Sequence, residues 1–505
     1  MNALHEDYIK RILSARVYDV SVETRLHPAA SLSERLGNTV LFKREDEQPI
    51  FSFKCRGAFN RIYKLTQSES VEGVVAASAG NHAQGVALAA KALGLQALIV
   101  MPRTTPSIKV DAVNALGAKT LLVGDDFGAA LHVALEEADT LGFPFIHPFD
   151  DPDTIAGQGT VAVELCRQHP GELDAVFVPV GGGGLAAGVS AYMKYLRPEV
   201  RIVGVEPVDA ACMHDALKAD ERVVLPEVGL FADGVAVKQA GAATFAVCRE
   251  FLDEVVLVTV DEMSAAIKDI FNDTRTLMEP AGALALAGIK RHIQQHQIQG
   301  QTFIAVNSGA NINFDRLRHV AERAEIGESR EALFAVTLEE RAGSFRRFCQ
   351  TLGKRSITEF NYRYADADTA VVFAGVELAG GSEERLQIIE SLESSGYRVL
   401  DMTHNDTAKL HIRHMIGGHA QVDNEVLYRF RFPERPGALL DFLNLLGQRW
   451  NITLFHYRNH GAAYGRVLVG LDNVASDEEL AENIRTLGFH AELETDNEAF
   501  KLFLQ

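Results

Sequence analysis

The chain predicts an open, parallel-sheet α/β domain followed by two small α+β subdomains, and three observations carry that expectation. Between about residues 70 and 320, short β-branched runs alternate with Ala-rich helical stretches. Beyond about residue 325 this alternation stops. The carboxyl-terminal portion instead contains an internal repeat. The segment Glu340-Arg341-Ala342-Gly343-Ser344-Phe345 returns as Glu434-Arg435-Pro436-Gly437-Ala438-Leu439, and Ile357-Thr358-Glu359-Phe360-Asn361-Tyr362-Arg363 returns as Ile452-Thr453-Leu454-Phe455-His456-Tyr457-Arg458.

In chain order, the runs Gly73–Ala77, Ala97–Met101, Ala175–Val178, Ile202–Val205, Val255–Val258 and Phe303–Val306 read as strands, with helical segments between them. Strand, helix, strand is the βαβ grammar of a parallel sheet, whose ligands sit at the carboxyl ends of the strands. The mostly polar segment Ala324–Glu331 marks the boundary. The repeat blocks are spaced by 94 and 95 residues, so the copies differ by one insertion. Each copy reads strand, Gly-containing turn, amphipathic helix, strand, with Leu440, Phe442, Leu443 and Leu446 forming the apolar face in the second. The expected domains are 1–325, 331–415 and 426–505, in keeping with roughly three domains for 505 residues.

Composition narrows the function classes. Hydrophobic residues at 47% are ample for buried cores, and a net charge of −19 argues against general attraction to nucleic acid or anionic membrane. Cys55, Cys166, Cys212, Cys248 and Cys349 are scattered, odd in number and without a CxxC pair, which suits reduced thiols in the cytoplasm. The amino terminus lacks the basic start and apolar run of a signal peptide, and no stretch approaches an uninterrupted membrane span. The expectation is a soluble cytoplasmic protein without nucleic-acid or membrane partners.

Four places carry chemistry. Lys54 lies in Phe51-Ser52-Phe53-Lys54-Cys55-Arg56-Gly57-Ala58, where apolar neighbours disfavour the ammonium and make a Schiff-base amine accessible; the ordinary alternative is a solvated Lys/Arg pair. After the strand ending at Ala77 comes Ser78-Ala79-Gly80-Asn81-His82, a loop of amides at a helix start that can hold a carboxylate, or can serve as a plain N-cap. His82 reads either as a general base or as a hydrogen-bonded packing residue. Gly181-Gly182-Gly183-Gly184-Leu185 opens a helix, and four glycines let backbone N–H groups close on a phosphate. Ser308, in Asn307-Ser308-Gly309-Ala310-Asn311, could face a ring nitrogen or cap the next helix. A rival reading takes Gly182, Gly184 and Ala187 as GxGxxA and Glu206 as a ribose acid, which would make a nicotinamide oxidoreductase.

In combination, these motifs resemble the tryptophan-synthase-type group of pyridoxal-phosphate enzymes, fold type II. With the two repeats, which resemble ACT-like regulatory domains, the chain is similar over nearly its whole length to the biosynthetic threonine dehydratases. That resemblance implies pyridoxal 5'-phosphate as cofactor and L-threonine as substrate, with L-serine second. Lys54, in the SFKxRGA segment, would carry the cofactor; Asn81 would bond its ring oxygen; Gly181 to Gly184 with Leu185 would hold its phosphate; Ser308 would face the pyridine nitrogen. Ser78, Ala79, Gly80, Asn81 and His82 would grip the substrate carboxylate. Lys54 would then remove the Cα proton, the β-hydroxyl would leave with a proton supplied near the phosphate, and hydrolysis would give 2-oxobutanoate and ammonia, the first step of isoleucine biosynthesis. A neutral serine at the ring nitrogen favours prompt elimination over a long-lived carbanion. The resemblance also implies a homo-oligomer, a tetramer, inhibited by isoleucine and relieved by valine through the repeats, whose ordinary alternative role is dimerisation or packing. Phe345, Tyr362 and Tyr457 fall at repeat-motif positions and read either as effector contacts or as core residues. An amino-acid sensor without catalysis is the remaining alternative, which the intact Lys54 disfavours.

Two departures matter. Serine racemases, which are related, place a second serine where this chain has Ala79, so racemisation is not expected. Those relatives also bind a divalent ion near the stretch that here reads Glu206 to Cys212; Cys212 replaces an acidic ligand. The histidines His404, His411, His414 and His419 lack companion cysteine or acidic spacing and read as surface residues, so no metal is expected.

Overall fold

The computed structural model describes residues 3–327, 330–339, 344–353, 355, 357–364, 369–414, 425–433, 452–458, 464–471, 480, 482 and 490–503. They fall into two compact units, Met1–Ala324 and Glu325–Gln505.

The first unit contains nine strands: β1 Leu26–Pro28, β2 Thr39–Arg44, β3 Gly73–Ala77, β4 Gln96–Met101, β5 Lys119–Leu122, β6 Ala175–Pro179, β7 Arg201–Pro207, β8 Glu254–Val258 and β9 Thr302–Asn307. Instead of one sheet they form two, ordered β1-β2-β9-β6-β7-β8 and β3-β4-β5. All pairings are parallel except β1 with β2. Helices cover the larger sheet on both faces. Tyr8, Ile9, Ile155, Val161 and Val189 pack beneath Val176 and Val178, while Met263, Ile267, Leu284 and Ile289 pack against Phe177, Val203 and Phe303.

Strand β2 was not expected, and it sits next to β9 in the larger sheet. Its sequence ends in Lys43 and Arg44, residues that argue locally against burial, yet both are buried. Charge pairing explains this. Lys43 Nζ donates to Glu164 Oε2 at 2.6 Å, to Thr24 O at 2.6 Å and to Gln168 Oε1 at 3.0 Å. Arg56 bridges Glu164 (Nη1 to Oε1, 2.6 Å) and Glu45 (Nη2 to Oε1, 2.8 Å). Two cations and two carboxylates thus neutralise one another, fastening β2 to the helices Lys54–Ser68 and Pro152–Gln168.

In the second unit the repeat is visible as two antiparallel four-stranded sheets. The first contains β10 Glu331–Glu339, β11 Ile357–Tyr364, β12 Thr369–Glu377 and β13 Arg398–Asp401, ordered β11-β12-β10-β13. The second contains β14 Val426–Pro433, β15 Ile452–Arg458, β16 Tyr464–Leu471 and β17 His490–Leu493, ordered β15-β16-β14-β17. Each has a register shift at the matching place, Ile357/Glu359 and Ile452/Leu454. Along β10, Leu333 and Ala335 face a cluster shared with Leu427 and Leu468 of the second sheet, while Phe334 and Val336 face the helices bearing Phe348, Ile388 and Leu392. That alternation is the period of a strand buried on both faces. A third repeated block, absent from the expectations, appears as well. Thr403 Oγ1 accepts from Leu333 N at 3.1 Å and Thr495 Oγ1 accepts from Leu427 N at 3.0 Å. Asn405 and Asn497 each cap a short helix through Oδ1.

The backbones of Phe345 (helix Ser344–Leu352), Tyr362 (β11) and Tyr457 (β15) are described; their side chains are outside the described residues. Tyr362 pairs with Val372 and Tyr457 with Val467, equivalent registers on equivalent edge strands. The helix expected around Leu440 to Leu446 lies outside the described residues, as do His419 and the side chain of His414. His404 Nε2 accepts from Arg385 Nη1 at 2.8 Å, and His411 is buried, not on the surface as expected. Among the described residues no cluster of three or more His, Cys, Asp or Glu is arranged to hold a metal, and no helix is long and apolar enough to cross a membrane.

Candidate active site

Lys54 is the first residue of the helix Lys54–Ser68. The chain enters that helix through Phe51, which holds a left-handed φ of 55° while its carbonyl accepts from Ala310 N at 2.9 Å. Phe53 N donates to Ser308 O at 3.2 Å, and Ser52 forms a bridge with Gly309. The Lys54 loop is therefore stitched to the loop after β9. Lys54 Nζ donates to Pro148 O at 3.0 Å and stands 5.3 Å from the centre of the Phe53 ring. Burial lowers its basicity to about 8, and the Glu279 carboxyl acts in the opposite sense.

The loop after β3 leads into the helix Asn81–Leu93. Ser78 Oγ accepts from Gly80 N at 3.2 Å, which shapes the turn. Gly85 lies so close to Lys54 that a Cβ there would stand 3.0 Å from the Lys54 carbonyl oxygen. Asn81 Nδ2 donates to Glu279 Oε1 at 2.6 Å, and Asn81 Oδ1 accepts from Asn311 Nδ2 at 2.7 Å. His82 is buried with Nε2 on the Ile146 carbonyl at 2.9 Å, so Nε2 carries the proton. Burial, and then the Lys54 charge, lower its basicity to about 3. A neutral imidazole so placed packs and orients the segment leading to Pro148; it is a poor general base.

After β6, Gly183 adopts φ 98° and Gly184 begins the helix Gly184–Leu196. The glycine requirement is steric as well as conformational. A Cβ at Gly182 would lie 2.4 Å from the Phe149 ring. Phe149 follows Pro148, the Lys54 acceptor, so this one segment joins the glycine turn to the lysine. Thr244 Oγ1 donates to Gly182 O at 2.6 Å and fixes the turn from behind. The N–H groups at the helix start fit a phosphate dianion. Ser308, buried after β9, donates to Ala281 O at 3.3 Å.

The structure thus brings Lys54, Asn81, the glycine turn and Ser308 into one constellation at the carboxyl ends of β3, β6 and β9. Glu279, Asn311 and Pro148 complete it, and sequence reasoning missed all three. The signal available for Glu279 was a lone acid ahead of Pro280 and a run of small residues. Glu206 is committed elsewhere. Its oxygens accept Met213 N at 2.9 Å and His214 N at 2.8 Å at the start of the helix Cys212–Ala219. A carboxyl committed to a helix start cannot serve as a ribose acid, which removes the nicotinamide reading.

A lysine of lowered basicity, a glycine turn whose N–H groups fit a phosphate and a buried neutral serine after β9 are the groups that a pyridoxal-phosphate enzyme uses to hold its cofactor. Residues 18–309 match the family described as pyridoxal-phosphate dependent enzyme, and 322–412 and 416–504 match the C-terminal regulatory domain of threonine dehydratase. The chain is 52% identical over 503 residues to a biosynthetic L-threonine dehydratase of Burkholderia multivorans, covering 99% of each. It is 51% identical over 499 residues to that of Escherichia coli, covering 99% of this chain and 97% of the relative. Among solved structures, the processed form of threonine deaminase isoform 2 from Solanum lycopersicum superposes with a TM-score of 0.62 at 48% identity, over 63% of this chain and 93% of that one. The chain belongs to the biosynthetic threonine dehydratase family, and its cofactor is pyridoxal 5'-phosphate.

Proposed function

We propose a division of labour among these residues for the deamination of L-threonine to 2-oxobutanoate and ammonia. Bound pyridoxal phosphate supplies the electron sink that loosens the Cα proton and the β-substituent of an amino acid. The residues do the rest. Lys54 would hold the cofactor and, as a free amine, would take the proton from Cα; an amine with basicity near 8 keeps a useful neutral fraction at neutral pH. The loop Ser78 to His82 binds the substrate carboxylate through its amides and the adjacent helix start. Asn81 would donate to the ring oxygen, Gly181 to Leu185 would hold the phosphate, and Ser308 would offer the ring nitrogen a neutral hydroxyl, which could not hold it charged. L-serine shares the reacting atoms and lacks only a methyl, so we infer it as a secondary substrate.

The observation that carries this reading is the Lys54 amine, part-buried among the loops, held by a backbone carbonyl and, among the described residues, without a carboxylate hydrogen bond. The test is 2-oxobutanoate release from L-threonine by wild type and Lys54→Ala: turnover is expected only in the former, and equal turnover contradicts the reading.

For the remainder we infer domains at 1–325, 331–415 and 426–505, a cytoplasmic homotetramer, and isoleucine inhibition opposed by valine, with Phe345, Tyr362 and Tyr457 as contacts. The equivalent registers of Tyr362 and Tyr457 support a pair of related binding positions. Adding isoleucine is expected to raise the threonine concentration for half-maximal rate, and Tyr362→Ala to weaken that response; an unchanged isoleucine response in Tyr362→Ala removes that contact.

A further inference from the structure

Which edge of the Asn81 amide can face the cofactor is fixed by its neighbours. Asn311 Nδ2 donates to the Ile50 carbonyl at 2.8 Å, and a carbonyl only accepts, so the amide orientation of Asn311 is settled. Its other contact, 2.7 Å to Asn81, must then reach Asn81 Oδ1. That leaves Asn81 Nδ2 facing Glu279 Oε1 at 2.6 Å, with one N–H remaining. Glu279 is itself held: its backbone leads into the helix Pro280–His296 and its N–H donates to Gly309 O at 3.2 Å. Gly309 makes room for the contact, since a Cβ there would stand 2.6 Å from Glu279 Oε1 and 3.3 Å from Asn81 Nδ2.

We propose that Glu279 is a positioning residue of the cofactor site: it fixes the Asn81 amide so that its last N–H is the one offered to the cofactor's ring oxygen, and it ties that donor to its own protonation. The proposal rests on the reading of Asn81 given above. An ionised Glu279 accepts a charge-assisted bond and polarises the amide; a protonated one accepts a weaker bond. Burial raises the Glu279 carboxyl to about 7, with the Asp233 carboxylate adding to the effect. Lys109 from the helix Ser107–Ala115, the Asn81 amide and Arg316 act in the opposite sense, and Lys54 feels the Glu279 charge from the other side. Glu279 therefore changes charge near neutral pH while touching a cofactor ligand.

The test is the cofactor's visible absorption in the full-length holoenzyme from pH 6 to 9, with cofactor affinity measured by titration, for wild type, Glu279→Gln, Asn81→Ala and the double variant. Wild type is expected to show a spectral change with a midpoint near 7. Glu279→Gln keeps an acceptor for Asn81, so its affinity should stay within about threefold while the spectral change disappears. Asn81→Ala should weaken affinity by about tenfold, and adding Glu279→Gln to it should do no more. The same midpoint in wild type and Glu279→Gln overturns the proposal. So do additive affinity losses in the double variant, a comparison that remains valid if single variants are only partly folded, provided that the folded fraction is measured by circular dichroism. Unchanged affinity in Asn81→Ala would instead remove Asn81 from the cofactor site, an outcome distinct from a failure of Glu279 alone.

Discussion

Two lysines with desolvated amines in the first unit, Lys43 and Lys54, show how one side chain takes opposite roles. Burial lowers the basicity of both. At Lys43 the three N–H groups are committed to Glu164, Thr24 and Gln168, and Arg56 and Glu45 close a neutral quartet. At Lys54 the hydrogen-bond partner is a backbone carbonyl, with Glu279 acting only at a distance. Committed N–H groups make an ammonium that holds structure. An amine without a carboxylate contact can lose its proton and react. The two sites are also mechanically linked, because Arg56 lies two residues after Lys54 on the same helix.

The largest separation of the two should come from removing each amine. Lys54→Ala should lose at least about a thousandfold in kcat while the protein stays folded. Lys43→Met should leave Glu164 buried without its amine partner and destabilise by about 3–5 kcal/mol in urea unfolding, with kcat per folded molecule near wild type. A Lys43→Met enzyme of full stability would dissolve the contrast.

The next effect is in pH. The folded basicity of Lys54 is about 8 against an ordinary 10.5, so between those values the unfolded chain binds the extra proton. Stability of the cofactor-free protein should therefore rise with pH across that window, by about 3 kcal/mol in the limit, and Lys54→Met should lose that rise. Glu279 works in the other direction. Raised to about 7 from 4.5, it binds a proton in the folded state across that interval, so its contribution falls as pH rises from 4.5 to 7 and should vanish in Glu279→Gln. Urea midpoints against pH read both signs.

The smallest expected effect is at the rim of the quartet. Tyr18 Oη donates to Glu164 Oε1 at 2.8 Å, so Tyr18→Phe should destabilise by about 1 kcal/mol and leave kcat unchanged. A fall in kcat would mean that the quartet reaches further into the chemistry than its contacts imply.

The same contrast explains what could be read from the sequence. Strands β3, β4, β6, β7, β8 and β9 announce themselves because β-branched runs alternate with helices, and the loops after β3, β6 and β9 carry their small and polar residues contiguously. Strand β2 was silent because Lys43 and Arg44 are polar locally and are neutralised by Glu164 and Asp46, the first of them 121 positions from Lys43. Glu279 and Asn311 were silent for a related reason: each is one polar residue whose partner, Asn81, lies 198 or 230 positions away. The split into two sheets leaves no local trace either, since a strand's pattern does not name its neighbour. In the second unit the longer repeat blocks were legible, whereas the short Thr403/Asn405 and Thr495/Asn497 blocks become convincing only when their hydrogen bonds coincide.

The most direct test of the contrast is borohydride reduction of the purified holoenzyme, then peptide mapping. The pyridoxyl label should fall on the peptide carrying Lys54 and be absent from the one carrying Lys43, with loss of the visible cofactor band. A label on Lys43 or another lysine, or an unlabelled Lys54 in an enzyme that still releases 2-oxobutanoate, would contradict the assignment of the reactive amine.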